Sequence, residues 1–591
     1  MSSFAGHIDR FFSEFFRLNP LAASAAGMHE HDGLWPDLSE AGRVDRLAFA
    51  ERWAGVLAAI PAAELDRDER VDQELLLLVL DEMRFDDEEM RQLSWDPLEW
   101  VYILGAGIFP LIAREFAPLA ERLASIAGRL EGIPAVVEAA RENLVGTPDG
   151  LPVSRFHTET ALAQLPGILE LIGDALGEAE AAAPGDPAVG GLLERLRSAA
   201  GLATGAIGRA EAILRDEVLP RSAGEGRLGP ELFAAKLHRT LRDSELTPAR
   251  ILDRAAQEAD AVRAEMVRLA RGMWPTWCPG VALPEDEREL VRAVLDAIAG
   301  EHPDPADLLD FCRAELARIE EFCRANDVVG LSDEPLDIRW TPVFLRAFGG
   351  AMLDSPGPLD HGQKSFFAIT PIPGEWTPEQ AESYLREDND RMLRVLTIHE
   401  AVPGHYLQGV YSNRCPSLVR AVFSSGVYAE GWAVYVTQVM IDLGYGADDP
   451  ALLLTHWKFY LRAVLNAIID VRIHAGAVFG GPLAEAEAVA LMVDGGFQEV
   501  AEARNKYNRA RLSSTQLSTY FVGSMALWEL ELEVRRRQAG PSVPIVERPI
   551  PGGFGPTPGF SQRRHLEAAM SHGTLAPSLL RGLVLDELPG S

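Results

Sequence analysis

The strongest constraint on the fold is the spacing of apolar residues, which recur every three or four positions along most of this chain. The pattern is clearest in four long stretches rich in Ala, Leu, Glu and Arg, at residues 111–145, 160–182, 191–219 and 249–271. Such spacing places apolar side chains on one face of an α-helix, and these residue types have high helix propensity. The sequence therefore predicts a mainly α fold.

Strand signals are few and lie close together. Aromatic and β-branched residues gather at 337–348 and 364–370, and such runs favour strands. A segment with Gly and Pro at 221–230 interrupts the helical pattern and indicates a boundary. We therefore expect an N-terminal helical lobe at 1–225 and a C-terminal lobe at 226–591 that carries the candidate catalytic motifs. The two lobes are expected to form one continuous unit, with a small β-sheet near those motifs.

Charge and cysteine content argue against several classes of partner. The 591-residue chain has a formal net charge of -33 and a pI near 4.8, which disfavours binding to nucleic acids and to anionic lipid surfaces. Its four cysteines are widely spaced, as is usual for reduced thiols. The first 20 residues lack the pattern of a secretory signal, and no apolar run reaches the ~18 residues of a membrane span. We therefore expect a cytoplasmic protein without nucleic-acid or membrane partners; the sequence leaves its oligomeric state unknown.

The sequence HEAVPGH at 399–405 carries the strongest chemical signal. Its histidines are six residues apart, whereas the zinc-protease motif H-E-x-x-H has them four apart. On a regular helix, positions six apart differ by about 240° and do not face one ion. The Pro-Gly pair inside the motif disfavours a regular helix, because Pro lacks a backbone donor and Gly adopts conformations that other residues avoid. We therefore predict a bulge or break at Val402–Gly404 that turns His405 back toward His399.

A helix is expected to deliver the first half of this motif. Thr377, Pro378 and Gln380 form the pattern of a capping box with Pro at the first helical position. We predict that the helix they begin runs on to His399 and Glu400.

Two histidines require a third ligand, since catalytic zinc sites use three protein ligands and keep one position open. Glu430, in the helix-like stretch 424–444, is the candidate, with a capped or solvated acid as the alternative. Glu400 points off the helix at a different angle from His399, which leaves it free to act as a general base. A second cluster of His, Glu, His and Asp at 29–32 is predicted to be a polar loop rather than a metal site.

Six stretches share the pattern of one known family: HEAVPGHYLQ (399–408), AEGWAVY (429–435), KSFFAIT (364–370), DVRIH (470–474), STQLSTYFVG (514–523) and HGTLAPSLL (572–580). On these stretches the chain resembles the DUF885 family, a set of largely uncharacterised bacterial proteins placed among the gluzincin-like metallopeptidases. The resemblance covers essentially the whole chain. It implies a mostly helical fold of two lobes around a deep cleft, related in plan to the helical oligopeptidases and carboxypeptidases.

Carried over residue by residue, the resemblance makes His399, His405 and Glu430 ligands of a zinc ion and Glu400 the base. These residues are the same as those chosen from the spacing alone. The family commonly has a second histidine where this chain has Tyr406, which removes none of the ligands.

The resemblance also points to Tyr520 and His474 as groups that donate hydrogen bonds to the oxyanion formed when water attacks a carbonyl. The alternatives are a buried, hydrogen-bonded aromatic residue for Tyr520, and a supporting or helix-capping histidine for His474. This chain departs from the family pattern at Arg472, which adds a cation beside His474 and bears on the substrate preference.

The predicted function is zinc-dependent hydrolysis of peptide bonds in short peptides, with one zinc ion, or another divalent metal, in each chain. Two alternatives stay open: a metal-dependent amidase or esterase acting on a small non-peptide metabolite, and a helical binding protein whose metal is structural. A strand at 364–370 is expected to hold an extended peptide by backbone pairing.

Overall fold

The computed structural model describes residues 3–146, 150–342, 345–346, 350–540 and 553–589. Helices account for 72% of these residues and strands for 3%, which confirms the predicted mainly α fold with a small sheet. The α-helices are α1 (Ser3–Leu18), α2 (Pro20–Ala26), α3 (Glu40–Ala58), α4 (Arg67–Phe85), α5 (Pro97–Ala113), α6 (Leu119–Val145), α7 (Arg155–Gln164), α8 (Pro166–Ala182), α9 (Pro187–Ala212), α10 (Pro230–Leu241), α11 (Pro248–Trp277), α12 (Glu287–Ala299), α13 (Leu308–Ala325), α14 (Pro378–Glu387), α15 (Asp390–Glu400), α16 (His405–Asn413), α17 (Leu418–Val422), α18 (Gly426–Asp442), α19 (Pro450–His474), α20 (Glu485–Gly496), α21 (Val500–Leu512), α22 (Gln516–Ala539), α23 (Gln562–Ser571) and α24 (Pro577–Glu587).

Proline sets several boundaries that the apolar spacing did not reveal. The stretch 160–182 is divided between α7 and α8, because Pro166 stands at the first turn of α8 and proline favours that position over a helix interior. The stretch 111–145 likewise spans the end of α5 and the whole of α6, with Pro118 immediately before α6. Across the described residues no individual helix has the length and apolarity of a membrane span, although the bent pair Arg67–Ser94 and Pro97–Ala113 meets those criteria jointly.

The sheet has three strands, β1 (Leu336–Trp340), β2 (Ala351–Asp354) and β3 (Ser365–Ile369), in the order β1-β3-β2. Strand β3 is buried throughout, runs parallel to β1 and antiparallel to β2. The predicted strand regions contain β1 and β3, and residues 343–344 and 347–348 of the first region lie outside the described residues. Because β3 is paired on both sides, the expectation that residues 364–370 hold a peptide by backbone pairing is wrong. The two edge strands, β1 and β2, each pair with β3 on one side, and the sequence did not predict β2.

The apolar side chains form two large cores. One contains residues from the N-terminal 95 residues together with residues between 228 and 588. The other is built from residues 98–218, with α6 packed against α9 at its centre. The division into lobes at residue 225 stays a prediction, but helices α1 to α4 share their core with the C-terminal part of the chain.

The capping box at Thr377 is present: its hydroxyl accepts from the Gln380 N–H, and the Gln380 side chain accepts from the Thr377 N–H. The helix that it begins ends at Glu387, however, so the prediction of one continuous helix to Glu400 is wrong. Asn389 starts the next helix, α15, because its side chain accepts hydrogen bonds from the first backbone N–H groups.

The His-Glu-His-Asp segment at 29–32 forms a single 3₁₀ turn. Both ring nitrogens of His29 are used, at 2.7 Å from Asp32 Oδ2 and 2.8 Å from Asp360 Oδ1. The ring also stacks on Phe116 with 3.6 Å between ring centres. This turn therefore connects the N-terminal segment to the loop after β2.

Candidate metal centre

The HEAVPGH segment breaks the helix completely. Helix α15 ends at Glu400 and α16 begins at His405, with a four-residue bend between them. At Gly404 an added Cβ would lie 1.9 Å from the carbonyl oxygen of His399, so glycine alone fits this close approach of the backbone. The Trp432 indole N–H donates to the Pro403 carbonyl at 2.9 Å and fastens the bend to α18. The predicted break is thus present, and it brings the rings of His399 and His405 to 4.8 Å between centres.

Glu430 completes a group of three side chains whose ligand atoms all lie within 4.8 Å of one another. Glu430 Oε2 is 3.9 Å from His399 Nε2 and 3.5 Å from His405 Nε2. With metal–ligand bonds of about 2.0–2.2 Å, neighbouring ligands of a tetrahedral zinc ion are about 3.3–3.6 Å apart. The separations and the donor types therefore fit a divalent metal held by two imidazoles and one carboxylate.

Close packing of helix α18 against its neighbours positions Glu430. Trp432 is fully buried two residues further along. At Gly431 the backbone of α18 approaches α22 so closely that an added Cβ would lie 2.4 Å from Gly523 Cα. This approach lets Gln516 of α22 donate a hydrogen bond to Glu430 Oε1 at 2.9 Å. One carboxylate oxygen is therefore held by Gln516, while the other faces the two histidines.

Burial and mutual charge shift the protonation of the three side chains. Burial lowers the pKa of His399 to about 3, so its imidazole is neutral. Burial alone would also lower the pKa of His405, but the hydrogen bond and charge of Glu430 outweigh it and raise the pKa. Burial alone would raise the pKa of Glu430, but the hydrogen bond from His405 and the nearby positive charges lower it to about 2. Glu430 is therefore ionised, as a metal ligand must be.

Glu400 lies beside His399 but is not among the three converging side chains. It is 5% exposed, and its Oε2 has no hydrogen-bond partner among the described residues. Burial, reinforced by the charge of Glu430, raises the pKa of Glu400 to about 7. A carboxylate with a pKa near neutrality can both accept and return a proton at physiological pH.

The structure brings Tyr520 to the same place. Its ring lies 6.4 Å from that of His399. Its hydroxyl oxygen accepts hydrogen bonds from Arg509 Nη2 and Gln516 Nε2, each at 3.1 Å. Because both partners are donors, the hydroxyl hydrogen of Tyr520 is left for another acceptor. Burial and the charge of Glu430 raise the pKa of Tyr520 to about 12, so that hydrogen is retained at neutral pH.

Arg509 is a site residue that sequence reasoning missed. Besides Tyr520, its guanidinium contacts Gln516 Oε1 at 3.2 Å. It comes from α21, and its surroundings, Arg-Asn-Lys-Tyr-Asn-Arg-Ala-Arg-Leu, form no recognised motif. No local signal distinguishes it from the other arginines of that helix.

His474 is not part of this arrangement, so the predicted oxyanion role does not match its position. Its Nε2 lies 2.8 Å from the Ala510 carbonyl and 2.9 Å from the Ser513 carbonyl, while its Nδ1 accepts from the Leu228 N–H. Burial lowers its pKa to about 4, so it is a neutral histidine that ties three backbone segments together. Neither His474 nor Arg472 lines the two cavities beside the metal-ligand group.

Two cavities open on either side of His399, Glu400, Arg509 and Tyr520. The larger one, of about 540 Å³, is lined by uncharged side chains of α16, by the loop after β2 and by residues 351–353 of that edge strand. The smaller one, of about 110 Å³, is lined by charged side chains of α14, α19 and α21. A ligand lying across the metal-ligand group would therefore have a neutral side and a charged side.

Comparisons with known proteins match the chain over almost its full length. A family model described as "Bacterial protein of unknown function (DUF885)" matches residues 20–584, which include every site residue above. No curated protein matches. A solved structure of a "putative lipoprotein of unknown function" from Shewanella oneidensis is 30% identical, covers 99% of this chain and 100% of its own, and superposes with a TM-score of 0.78.

A second solved structure, with a similar description and from Colwellia psychrerythraea, is 15% identical. It covers 99% of this chain and 98% of its own, with a TM-score of 0.78. At this identity the similarity shows that the fold is shared.

Proposed function

The chain belongs to the DUF885 family, and we propose that it is a metal-dependent hydrolase that cleaves the amide bonds of short peptides. One observation carries the proposal. The ligand atoms of His399, His405 and Glu430 lie within 4.8 Å of one another. The neighbouring Glu400 is buried, lies outside this group and has a pKa raised to about 7. Three ligands and a free base are the composition of a catalytic zinc site.

The donor set supports one catalytic zinc ion in each chain rather than a structural metal ion. Structural zinc sites usually have four protein ligands and are rich in cysteine. All four cysteines here are free thiols, and none lines either cavity beside the metal-ligand group. Other divalent ions accept the same nitrogen and oxygen donors, so the identity of the metal is left to measurement.

Hydrolysis forms a bond between a water oxygen and the scissile carbonyl carbon and breaks the bond from that carbon to nitrogen. In our proposal Glu400 takes the proton that the attacking water gives up and returns it to the leaving nitrogen. Tyr520 donates its free hydroxyl hydrogen to the oxygen that becomes negatively charged, and Arg509 holds that hydroxyl in place. A divalent ion bound by the three ligands supplies the Lewis acidity that amide cleavage at neutral pH needs.

The larger cavity supports an extended peptide as the substrate. Residues 351–353 of β2 line it, and β2 is paired within the sheet through β3 alone. An extended chain can add to such an edge by backbone hydrogen bonds. We further propose that the site lies in a deep cleft between two lobes, as in the helical metallopeptidases, which would admit short peptides and exclude folded proteins.

We propose that the protein is located in the cytoplasm, because its four cysteines are free thiols and its net charge is acidic. The two similar solved structures are each described as a "putative lipoprotein", which points to a membrane-attached form instead. Fractionation of cells that make the full-length protein, followed by detection in soluble and membrane fractions, decides between these locations.

The proposal is tested by metal content and peptide cleavage measured on the same samples. Wild-type protein should hold about one zinc per chain and cleave members of a short-peptide library analysed by mass spectrometry. Glu430→Ala should lose the metal and the activity, whereas Glu400→Gln should keep the metal and lose the activity. Glu51→Ala, on the exposed face of α3, is the control and should match wild type.

Full activity in Glu400→Gln would refute the base assignment. Zinc binding without cleavage of any peptide would refute peptide hydrolysis, and small amides and esters would then be tested on the same samples.

A further inference from the structure

The smaller cavity beside the metal-ligand group has a wall of cationic side chains. Arg462 comes from α19, and Lys506 and Arg509 come from α21, where their spacing of three places them on one face of the helix. His399 and Glu400 also line this cavity. Three cations next to the reacting groups are unexpected in a chain with a net charge of -33.

The acidic side chains around this cavity only partly balance those cations. Glu502 is shared, with its Oε1 3.4 Å from Lys506 Nζ and 3.9 Å from Arg462 Nη1. Charge-assisted hydrogen bonds are usually about 2.7–2.9 Å long. Both contacts are longer, so the ammonium and the guanidinium keep donors for another acceptor.

A second acid, Glu387, is committed elsewhere. Its Oε2 accepts from Lys458 Nζ at 2.8 Å and from the Glu499 N–H at 2.9 Å. Its Oε1 lies 3.6 Å from Arg462, and the side chain is almost fully buried. Glu387 is therefore neutralised mainly by Lys458, which does not line the cavity.

The third acid, Asp388, carries less than a full charge near neutral pH. Burial, together with the charges of Glu387 and Glu502, raises the pKa of Asp388 to about 7. Apart from Glu400, which also lines the cavity, Arg462 and Lys506 therefore face Glu502 as the one fully charged acid of the lining that Lys458 does not neutralise.

A buried acceptor lies on the same wall. Asn466 is 4% exposed and stands one helical turn after Arg462 on α19. Its Oδ1 has no hydrogen-bond partner in the parts of the chain that the structure describes. Buried amide oxygens are normally satisfied, and a ligand N–H in the cavity would satisfy this one.

We propose that this cavity binds the free C-terminal carboxylate of the substrate, so that the enzyme releases single residues from the C-terminus of short peptides. Arg462 and Lys506 contact the carboxylate, and Asn466 accepts a hydrogen bond from an N–H of the terminal residue. The volume of about 110 Å³ has room for several water molecules, on the order of one small residue rather than a longer chain. This inference rests on the proposed function, because it assigns the two cavities to the two sides of the cleaved bond.

The first arm of the test compares matched substrates on the zinc-loaded, full-length protein. An N-acetylated tripeptide with a free carboxylate should be cleaved with a kcat/KM about 10- to 100-fold higher than the same peptide ending in a carboxamide, as expected for losing charge-assisted hydrogen bonds. Release of the C-terminal residue is followed by mass spectrometry.

The second arm measures binding without turnover, by titration calorimetry in the Glu400→Gln background. The free-acid peptide should bind more tightly than the carboxamide, and adding Arg462→Gln or Lys506→Gln should remove that difference. Arg504→Gln, on the exposed side of the same helix α21, is the control and should preserve it. Melting temperature and zinc content are recorded for each variant to exclude misfolding.

The outcomes separate the two proposals. Equal cleavage and equal binding of the acid and the carboxamide overturn the carboxylate subsite while leaving peptide hydrolysis intact. Tighter binding of the acid, lost in Arg462→Gln, with no cleavage by the wild type, supports the subsite and refutes the hydrolase. A preference for a free N-terminus over an acetylated one, with no effect of the C-terminal group, assigns the cavity to an ammonium group and overturns the inference. Absence of binding by either peptide overturns it as well.

Discussion

Replacing Gly523 by alanine should loosen the metal centre, although the residue is not itself a metal ligand. An added Cβ at position 523 would lie 2.0 Å from the Val427 carbonyl oxygen and 2.8 Å from Gly431 Cα. Ordinary contacts of this kind start near 3.4 Å, so helices α18 and α22 must move apart by about 1.4 Å, the difference of these distances, at this point.

The displacement acts on the hydrogen bond between Gln516 and Glu430, which is 2.9 Å long. A separation by the same amount would lengthen it to about 4.3 Å, beyond hydrogen-bond range. Overpacking costs about 1–3 kcal/mol and loss of a hydrogen bond to a charged group about 1.5–3 kcal/mol. We therefore expect Gly523→Ala to lower the free energy of unfolding by about 2.5–6 kcal/mol and the metal affinity by about 10- to 100-fold.

Zinc affinity is measured by competition with a chromophoric chelator, and stability by thermal and denaturant unfolding of metal-free protein. Gly272→Ala is the matched control, because Gly272 lies on the exposed side of α11 and an added Cβ there meets no atom within 4 Å. That variant should be unchanged or more stable by up to about 1 kcal/mol. A Gly523→Ala protein with wild-type zinc affinity and wild-type stability would refute the reasoning.

Tyr520→Phe should lower kcat by about 10²- to 10³-fold with zinc content unchanged, measured by steady-state kinetics and elemental analysis; an unchanged kcat would contradict the oxyanion role. The kcat/KM of the zinc enzyme should fall as pH drops through about 7 or somewhat lower. Glu400 has a pKa raised to about 7, a bound cation lowers this pKa, and the protonated carboxyl group cannot accept a proton from water. A flat profile of kcat/KM from pH 5 to pH 8 would contradict the role of Glu400 as the base. His29→Gln should be less stable than wild type mainly at low pH. Burial alone would lower the pKa of His29, but its bonds to Asp32 and Asp360 raise it from 6.5 to about 9, so the stabilisation is complete below pH 6.5 and is lost as pH rises through about 9; a difference in unfolding free energy that does not change with pH would contradict this assignment.

The sequence was most informative where the signal is local. The apolar spacing gave the helical class, and the capping box at Thr377 is formed as expected. The Pro-Gly pair at 403–404 correctly indicated a break between the two motif histidines. Each of these features depends on residues within a turn or two of one another, where backbone sterics and capping act directly.

The local reading also failed in identifiable ways. The helix begun at Thr377 was expected to continue to Glu400, yet Asn389 caps a new helix within it. Asparagine is a strong N-cap residue, so this signal was present in the sequence and was overlooked. Strand β2 was missed because a four-residue edge strand has too short a pattern to detect.

The sequence by itself determined the helical fold class and the residue types from which a metal site could be built, because propensity, capping and spacing act between near neighbours. Only the tertiary structure decided that Arg509 and Tyr520 meet at this site, that His474 does not, and that one cavity is charged. These outcomes depend on how closely distant helices approach, as at Gly431 and Gly523. Such contacts join positions far apart along the chain, and the spacing of residues in sequence carries no record of them.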